Sequence, residues 1–198
     1  MEILATSALL FVSCQGAYFK TMEKLGYHKR ELLVSSVKDA RESQQEAKEQ
    51  FQSALEKFNA VLNFKGGELQ EKYDKLKAEL DRSESRANAV HERIDDVEDV
   101  AEALFDEWES ELDKYSDDSL KRASKVKLVE TKGRYKQLIS AMKRAEKKIN
   151  PVLSVFRDQV LFLKHNLNAQ AIASLQGEFA SIETDVGSLI SEMEASIR

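Results

Sequence analysis

Residues 33–61 read LVSSVKDARESQQEAKEQFQSALEKFNAV, and the spacing of their apolar members decides the fold. Leu33, Val37, Ala40, Gln44, Ala47, Phe51, Ala54, Phe58 and Val61 recur at alternating steps of four and three. That is the heptad seam of a left-handed coiled coil, in which a slightly underwound helix keeps one stripe turned towards its neighbours. No glycine or proline interrupts the stretch. Gln44 is the one polar member of the seam, a placement that more often sets register than serves chemistry.

The pattern continues on both sides. A first helix is expected over about residues 17–63, disturbed only by Gly26. Residues 63–67, NFKGG, form the clearest turn, with two glycines free to take positive φ. A second helix over 68–115 carries Leu69, Tyr73, Leu76, Leu80, Ser83, Ala87, Val90, Ile94, Val97, Ala101, Leu104, Trp108, Leu112 and Tyr115. Two successive steps of four after Leu104 insert a stutter that locally unwinds the supercoil. Residues 116–119, SDDS, close this helix, and Asp118 or Ser119 is the expected N-cap of the next.

The third helix, expected over 119–166, carries Leu138, Met142, Ala145, Ile149, Val152, Phe156, Val160, Leu163 and Leu167. Pro151 follows Asn150 inside it, as a helix start or as a kink. A shorter fourth helix over 170–198 repeats the seam at Ile172, Leu175, Phe179, Ile182, Val186, Leu189, Met193 and Ile197. A long helix of this kind spans roughly 70 Å at 1.5 Å per residue. The expected fold is all-α: an elongated antiparallel three- to four-helix bundle with coiled-coil packing, one domain over 15–198. The competing arrangement runs a kinked third helix out to the C-terminus. Seams this long close within one chain or across a homodimer.

Composition agrees. The 198 residues include 1 proline and 7 glycines, 33% are charged and 42% hydrophobic. High charge combined with regular apolar spacing indicates amphipathic helices rather than disorder. The net charge of −5 offers no overall attraction to nucleic acid or anionic lipid. Charge is nevertheless segregated: residues 92–118 hold 13 acids and 2 bases, and residues 120–149 hold 11 bases and 2 acids. An antiparallel hairpin about residues 116–119 lays these runs side by side, Asp106 near Leu128 and Asp95 near Ile139, so that each neutralises much of the other. Tyr135 is the only aromatic among the bases, which argues against single-stranded nucleic acid.

Residues 3–12, ILATSALLFV, form an uncharged run too short to span a bilayer but suited to the apolar core of a secretory signal. The run leads through Ser13 to Cys14, the only cysteine, in a pattern that looks like the lipobox of bacterial lipoproteins. Phe11 stands where leucine is usual, and Met1-Glu2 supplies no basic start. The resemblance implies a leader over residues 1–14 and lipidation at Cys14. Under the sorting rule of such lipoproteins, Gln15 directs the chain to the outer membrane, where an acylated cysteine holds it in the periplasm.

No chemistry is written in local motifs. His28, His91 and His165 are far apart, and there is no Glu-x-x-His, His-Glu-x-x-His, phosphate loop or Gly-x-Ser-x-Gly elbow. Asp158 and His165 share a helical face, yet two polar residues beside a seam need no further role. No catalytic residue, cofactor or metal site is expected, and the chain reads as a non-enzyme.

In Cys14-Gln15, in residues 26–30 (GYHKR), in 97–108 (VEDVAEALFDEW) and most specifically in 158–171 (DQVLFLKHNLNAQA), the chain resembles a family of Gram-negative bacterial proteins known as a domain of unknown function with lipoprotein-like starts. The resemblance covers nearly the whole chain. It implies the leader and the helices and brings no activity.

The expected function is therefore a membrane-tethered periplasmic spacer or adaptor for a protein partner, with partner contacts at the turns distant from the anchor: Phe64, Lys65, His165, Asn166 and Asn168. The alternative is a peripheral membrane-binding coiled coil of the phage-shock or BAR-like type, using the basic run 121–148 on lipid.

Overall fold

The computed structural model describes residues 18, 19, 22, 28–63, 69–166 and 169–197. Within them the chain is an all-α bundle: α1 Lys29–Leu62, α2 Leu69–Glu111, α3 Asp118–His165 and α4 Ala169–Ile197. Each helix packs against the next, and α4 closes the ring by lying against both α3 and α1. The topology is up-down-up-down, as short connections between long helices demand.

The seam positions are the core. Ala40, Gln44, Ala47, Phe51, Ala54, Phe58 and Val61 of α1 are all buried, as are Met142, Ala145, Ile149, Val152, Phe156, Val160 and Leu163 of α3. Towards the α1–α2 turn the core is aromatic. Phe58 stacks on Phe179 with ring centroids 5.9 Å apart, and Phe156 lies 6.3 Å from Phe58 and 6.5 Å from Phe51. Among the described residues Gln44, Glu79, Ser83 and Ser196 are buried with hydrogen-bond partners, whereas the buried Ser43 hydroxyl has none. Gln44 Nε2 donates to the Met142 carbonyl at 3.4 Å, and Glu79 accepts from Gln50 at 2.7 Å and pairs with Arg82 at 2.6 Å.

Several boundaries differ from the sequence expectations. α1 begins at Lys29 rather than near residue 17, because His28 is extended (φ −82°, ψ 144°); Tyr18, Phe19 and Met22 are helical before that break. Gly26 lies outside the described residues. α2 ends at Glu111 and tightens into a 3-10 turn over Leu112–Lys114. The N-cap of α3 is Asp117, one residue earlier than expected; its carboxylate accepts from the Ser119 and Leu120 amides at 2.7 and 3.0 Å. α3 continues through Pro151 as one helix, its ring on the exposed surface, and ends at His165. The kinked helix reaching the C-terminus does not occur, because α4 turns back along α1.

Charge pairing across the α2–α3 hairpin is real but partial. Asp113 pairs with Lys121 at 2.8 Å, Glu109 with Lys132 at 2.6 Å and Glu98 with Lys143 at 2.6 Å. Arg144 and Lys148 turn instead to Glu192 of α4. Arg122, Lys125, Lys136 and Lys147 have no acidic partner among the described residues. The expectation of broad mutual neutralisation overreached: two packed helices share only one edge, so bases on the far side of α3 cannot reach the acids of α2.

Candidate protein-interaction site

Of the residues expected to meet a partner, Phe64, Lys65 and Asn168 lie outside the described residues, as does Cys14. His165 is exposed at the end of α3. Asn166 follows it as C-cap, its amide donating to Leu163 O at 3.1 Å and its side chain to Phe162 O at 3.0 Å. These bonds serve the helix end, whose last carbonyls otherwise lack donors. Nearby, Gln176 Nε2 of α4 donates to the Leu62 carbonyl at 3.0 Å and satisfies the end of α1 in the same way. Asp158 is exposed on the outer surface. Among the described residues no group of three or more His, Cys, Asp or Glu stands close enough to hold a metal ion.

A different site stands at the opposite end of the bundle. α4 has 29 residues against 48 in α3, and it ends near the middle of α1, where Ser196 bonds Gln44. Beyond that point α1 and α3 continue with no helix between them among the described residues. The seam residues Leu33 and Val37 of α1, Leu138 of α3, and Leu104 and Trp108 of α2 are consequently only half-buried. They line an open apolar groove. Leu33, Val37, Tyr135 and Leu138 form its inner stretch, and Leu104, Trp108, Tyr115 and Leu120 continue it to the α2–α3 turn. Val34 is 67% exposed and Leu120 58% exposed at its margin.

The floor is firmly held. Phe105, Ala101 and Leu128 form a small buried cluster beneath it. Tyr135 meets Phe105 edge-on at 5.4 Å, and Lys132 Nζ lies 5.4 Å from the Phe105 centroid. The Trp108 indole N–H donates to Ser124 Oγ at 2.8 Å, fixing the ring across α2 and α3. Burial, reinforced by the charges of Glu98 and Glu102, pushes the Tyr135 phenol up to about 12, so the ring presents a neutral hydroxyl at ordinary pH.

The rim is basic. Arg30, Lys38, Arg41 and Arg134 line the groove, and none makes an ion pair or hydrogen bond among the described residues. Arg41 Nε is buried without an acceptor, and an unsatisfied buried donor costs about 1–3 kcal/mol. The acids of the rim are already engaged: Glu107 with Lys29 at 3.2 Å and Glu111 with Lys114 at 3.3 Å.

Tyr18, Phe19 and Met22 do not fill this groove. They line a recess with Leu32, Ser35, Ser36 and Asp39 of α1 and Asp96 and Val100 of α2. At 100° per residue that face of α1 is opposite the one bearing Leu33, Val37 and Arg41.

Fold and groove together define a helical-bundle protein with an open apolar surface. The chain belongs to the family described as protein of unknown function (DUF2959), whose model matches residues 18–198. No curated protein and no solved structure matches it. Among the described residues no helix is long and apolar enough to cross a membrane.

Proposed function

We propose that the protein is a non-catalytic spacer and adaptor that binds a protein partner, tethered through a lipid on Cys14 to the outer membrane and facing the periplasm. The observation that carries this reading is the end of the bundle past α4, where seam residues on three helices surround a groove that no described residue covers. A groove at the end of the bundle where α1 begins, the end nearer Cys14 in sequence, suits holding a partner beside the anchor, with the rest of the bundle extending away from it. The lipobox-like approach to Cys14 supports the tether. Partner contact is now proposed at the groove, near the start of α1, in place of the distant turns.

Two measurements test the reading. Intact mass and membrane fractionation of the chain made from its native upstream sequence should give a mature protein beginning at acylated Cys14, and Cys14→Ser should release it from membranes. Photo-cross-linkers placed along all four helices should capture a protein at some position. A soluble, unprocessed chain removes the tether, and an absence of protein adducts at every position removes the adaptor.

One observation favours a second reading, lipid binding by a peripheral coiled coil. Arg122, Lys125, Lys136 and Lys147 fall within about 60° of arc on the outer face of α3, and none has an acidic partner among the described residues. Salt-sensitive co-sedimentation with phosphatidylglycerol vesicles, lost when these four are changed to Glu, would favour it. No binding at low salt rejects it.

A further inference from the structure

We propose that the groove between α1 and α3 receives an acidic amphipathic α-helix of a partner protein, seated end to end with α4; this rests on the adaptor reading and names its partner's chemistry. The shape argues for a helix. The two walls that flank the groove are the same two helices that flank α4, so the space beyond Ile197 is bounded by the pair that already accommodates one helix. From Leu138 to Leu120 the α3 wall runs roughly 27 Å, or about five helical turns. The floor asks for apolar side chains at seam spacing, because Leu33, Val37, Leu138 and Trp108 are half-buried members of seams that elsewhere are closed.

The charge of the occupant follows from the rim. Arg30, Lys38 and Arg41 have no carboxylate partner among the described residues, and Arg134 has only the charge of Glu130 nearby with no ion pair, although elsewhere on the bundle lysines and arginines pair across helices. Arg41 adds a buried Nε with no acceptor. Acids flanking the apolar stripe of an incoming helix would supply partners to these groups, as edge charges do between paired helices. A helix with basic flanks would instead meet three uncompensated cations and Arg134. Helix-in-groove recognition of this kind draws affinity from the apolar anchors and selectivity from the flanks.

Trp108, the only tryptophan, lies in the groove and reports its occupancy. The probes are two synthetic peptides of about five helical turns, free of tryptophan, with leucines at seam spacing flanked by glutamates in one and by lysines in the other. The glutamate peptide should shift Trp108 emission to the blue and saturate, and the lysine peptide should bind about tenfold more weakly. Arg41→Glu combined with Arg134→Glu should invert that preference, while Lys147→Glu, away from the groove, should leave it intact. Circular dichroism verifies that each variant is folded.

Equal binding of the two peptides, or no response of Trp108, overturns the proposal. So does a Trp108 shift that follows protein concentration alone and coincides with a dimer in sedimentation, which assigns the groove to a second copy. A shift produced by anionic vesicles but by neither peptide assigns it to lipid. If the peptides fail while cross-linkers elsewhere on the rod capture a protein, the adaptor reading stands and this assignment falls. If the glutamate peptide binds and no protein is captured anywhere, the adaptor reading falls and the groove's chemistry stands.

Discussion

The Ser196 hydroxyl donates to the Gln44 side-chain oxygen at 2.6 Å, joining the last turn of α4 to the middle of α1 across 152 residues of chain. Gln44 is fully buried, and its amide nitrogen reaches the Met142 carbonyl of α3 at 3.4 Å. Ser196→Ala removes the donor and leaves a buried amide oxygen unsatisfied, so it should destabilise the bundle by about 1–3 kcal/mol in urea denaturation. Gln44→Leu removes the polar group itself and should cost less, or even stabilise. The loss in that variant should appear as an alternative α4 register, visible as doubled amide resonances. Equal destabilisation by the two changes would contradict this account.

Phe156 and Leu33 both occupy seam positions, but they differ in what opposes them. Phe156 is enclosed by Phe51 and Phe58, and truncation to alanine should cost about 3–5 kcal/mol. Leu33 faces the open groove and is only half-buried. Its truncation should cost well under half as much in thermal or urea unfolding while weakening the glutamate peptide. Comparable stability losses would mean that the groove is closed in solution.

His91 sits between α2 and α3 with Nδ1 2.5 Å from Glu146 and Nε2 3.4 Å from Asp95. The hydrogen bond to Glu146, then the charge of Asp95, raise its pKa above the ordinary 6.5, against a small opposing effect of burial. A histidine raised in the folded state contributes stability that is complete below 6.5 and is lost as pH rises through the higher folded value. NMR titration should place the His91 midpoint above 6.5, and Glu146→Gln should lower it. A midpoint at or below 6.5 in the unmodified protein would break the argument.

Glu79 has the opposite sign. Burial by itself raises its pKa, but hydrogen bonds from Arg82 and Gln50, with the charges of Arg82 and Lys57, outweigh burial and hold it below 4.5. Its contribution is present above the unfolded carboxylate range and is lost as pH falls through the lowered value. Glu79→Gln should therefore flatten the acid limb of a stability-versus-pH curve. An unchanged acid limb would show that other carboxylates govern it.

Asp117 supplies the two bonds that begin α3, so Asp117→Ala should cost about 1 kcal/mol. Asp118→Ala, one residue on and outside the cap, should cost less. The comparison by urea denaturation separates the observed cap from the one that the SDDS sequence alone suggests.

Much of the bundle was legible because heptad spacing depends only on helix geometry. The seams named which side of each helix would be covered, and Phe51, Ile94, Met142 and Leu189 are buried accordingly. Spacing does not say how far along a face its cover extends, so Leu33, Val37 and Trp108 looked like core and are groove. On α3 the signal was obscured further: the groove positions before Leu138 include Ser124, Lys127 and Thr131, which break the apolar pattern. The basic rim was equally hidden, since a charge run gives no indication of which members find carboxylates once helices rotate into register. A comparison of the expected lengths of α3 and α4 was the one clue available.

The unequal helix lengths also divide the molecule energetically. Where α4 lies alongside, an amide must break through a closed core to exchange its hydrogen; past Ile197, fewer packed neighbours resist opening. Amides in residues 29–38 of α1 and 120–135 of α3 should exchange with deuterium through local fraying, at lower protection than those near Phe51 or Phe156. An occupant of the groove would then tighten the very segment it touches. Part of its binding free energy would be spent on quieting that end of the rod, so affinity and local order would rise and fall together.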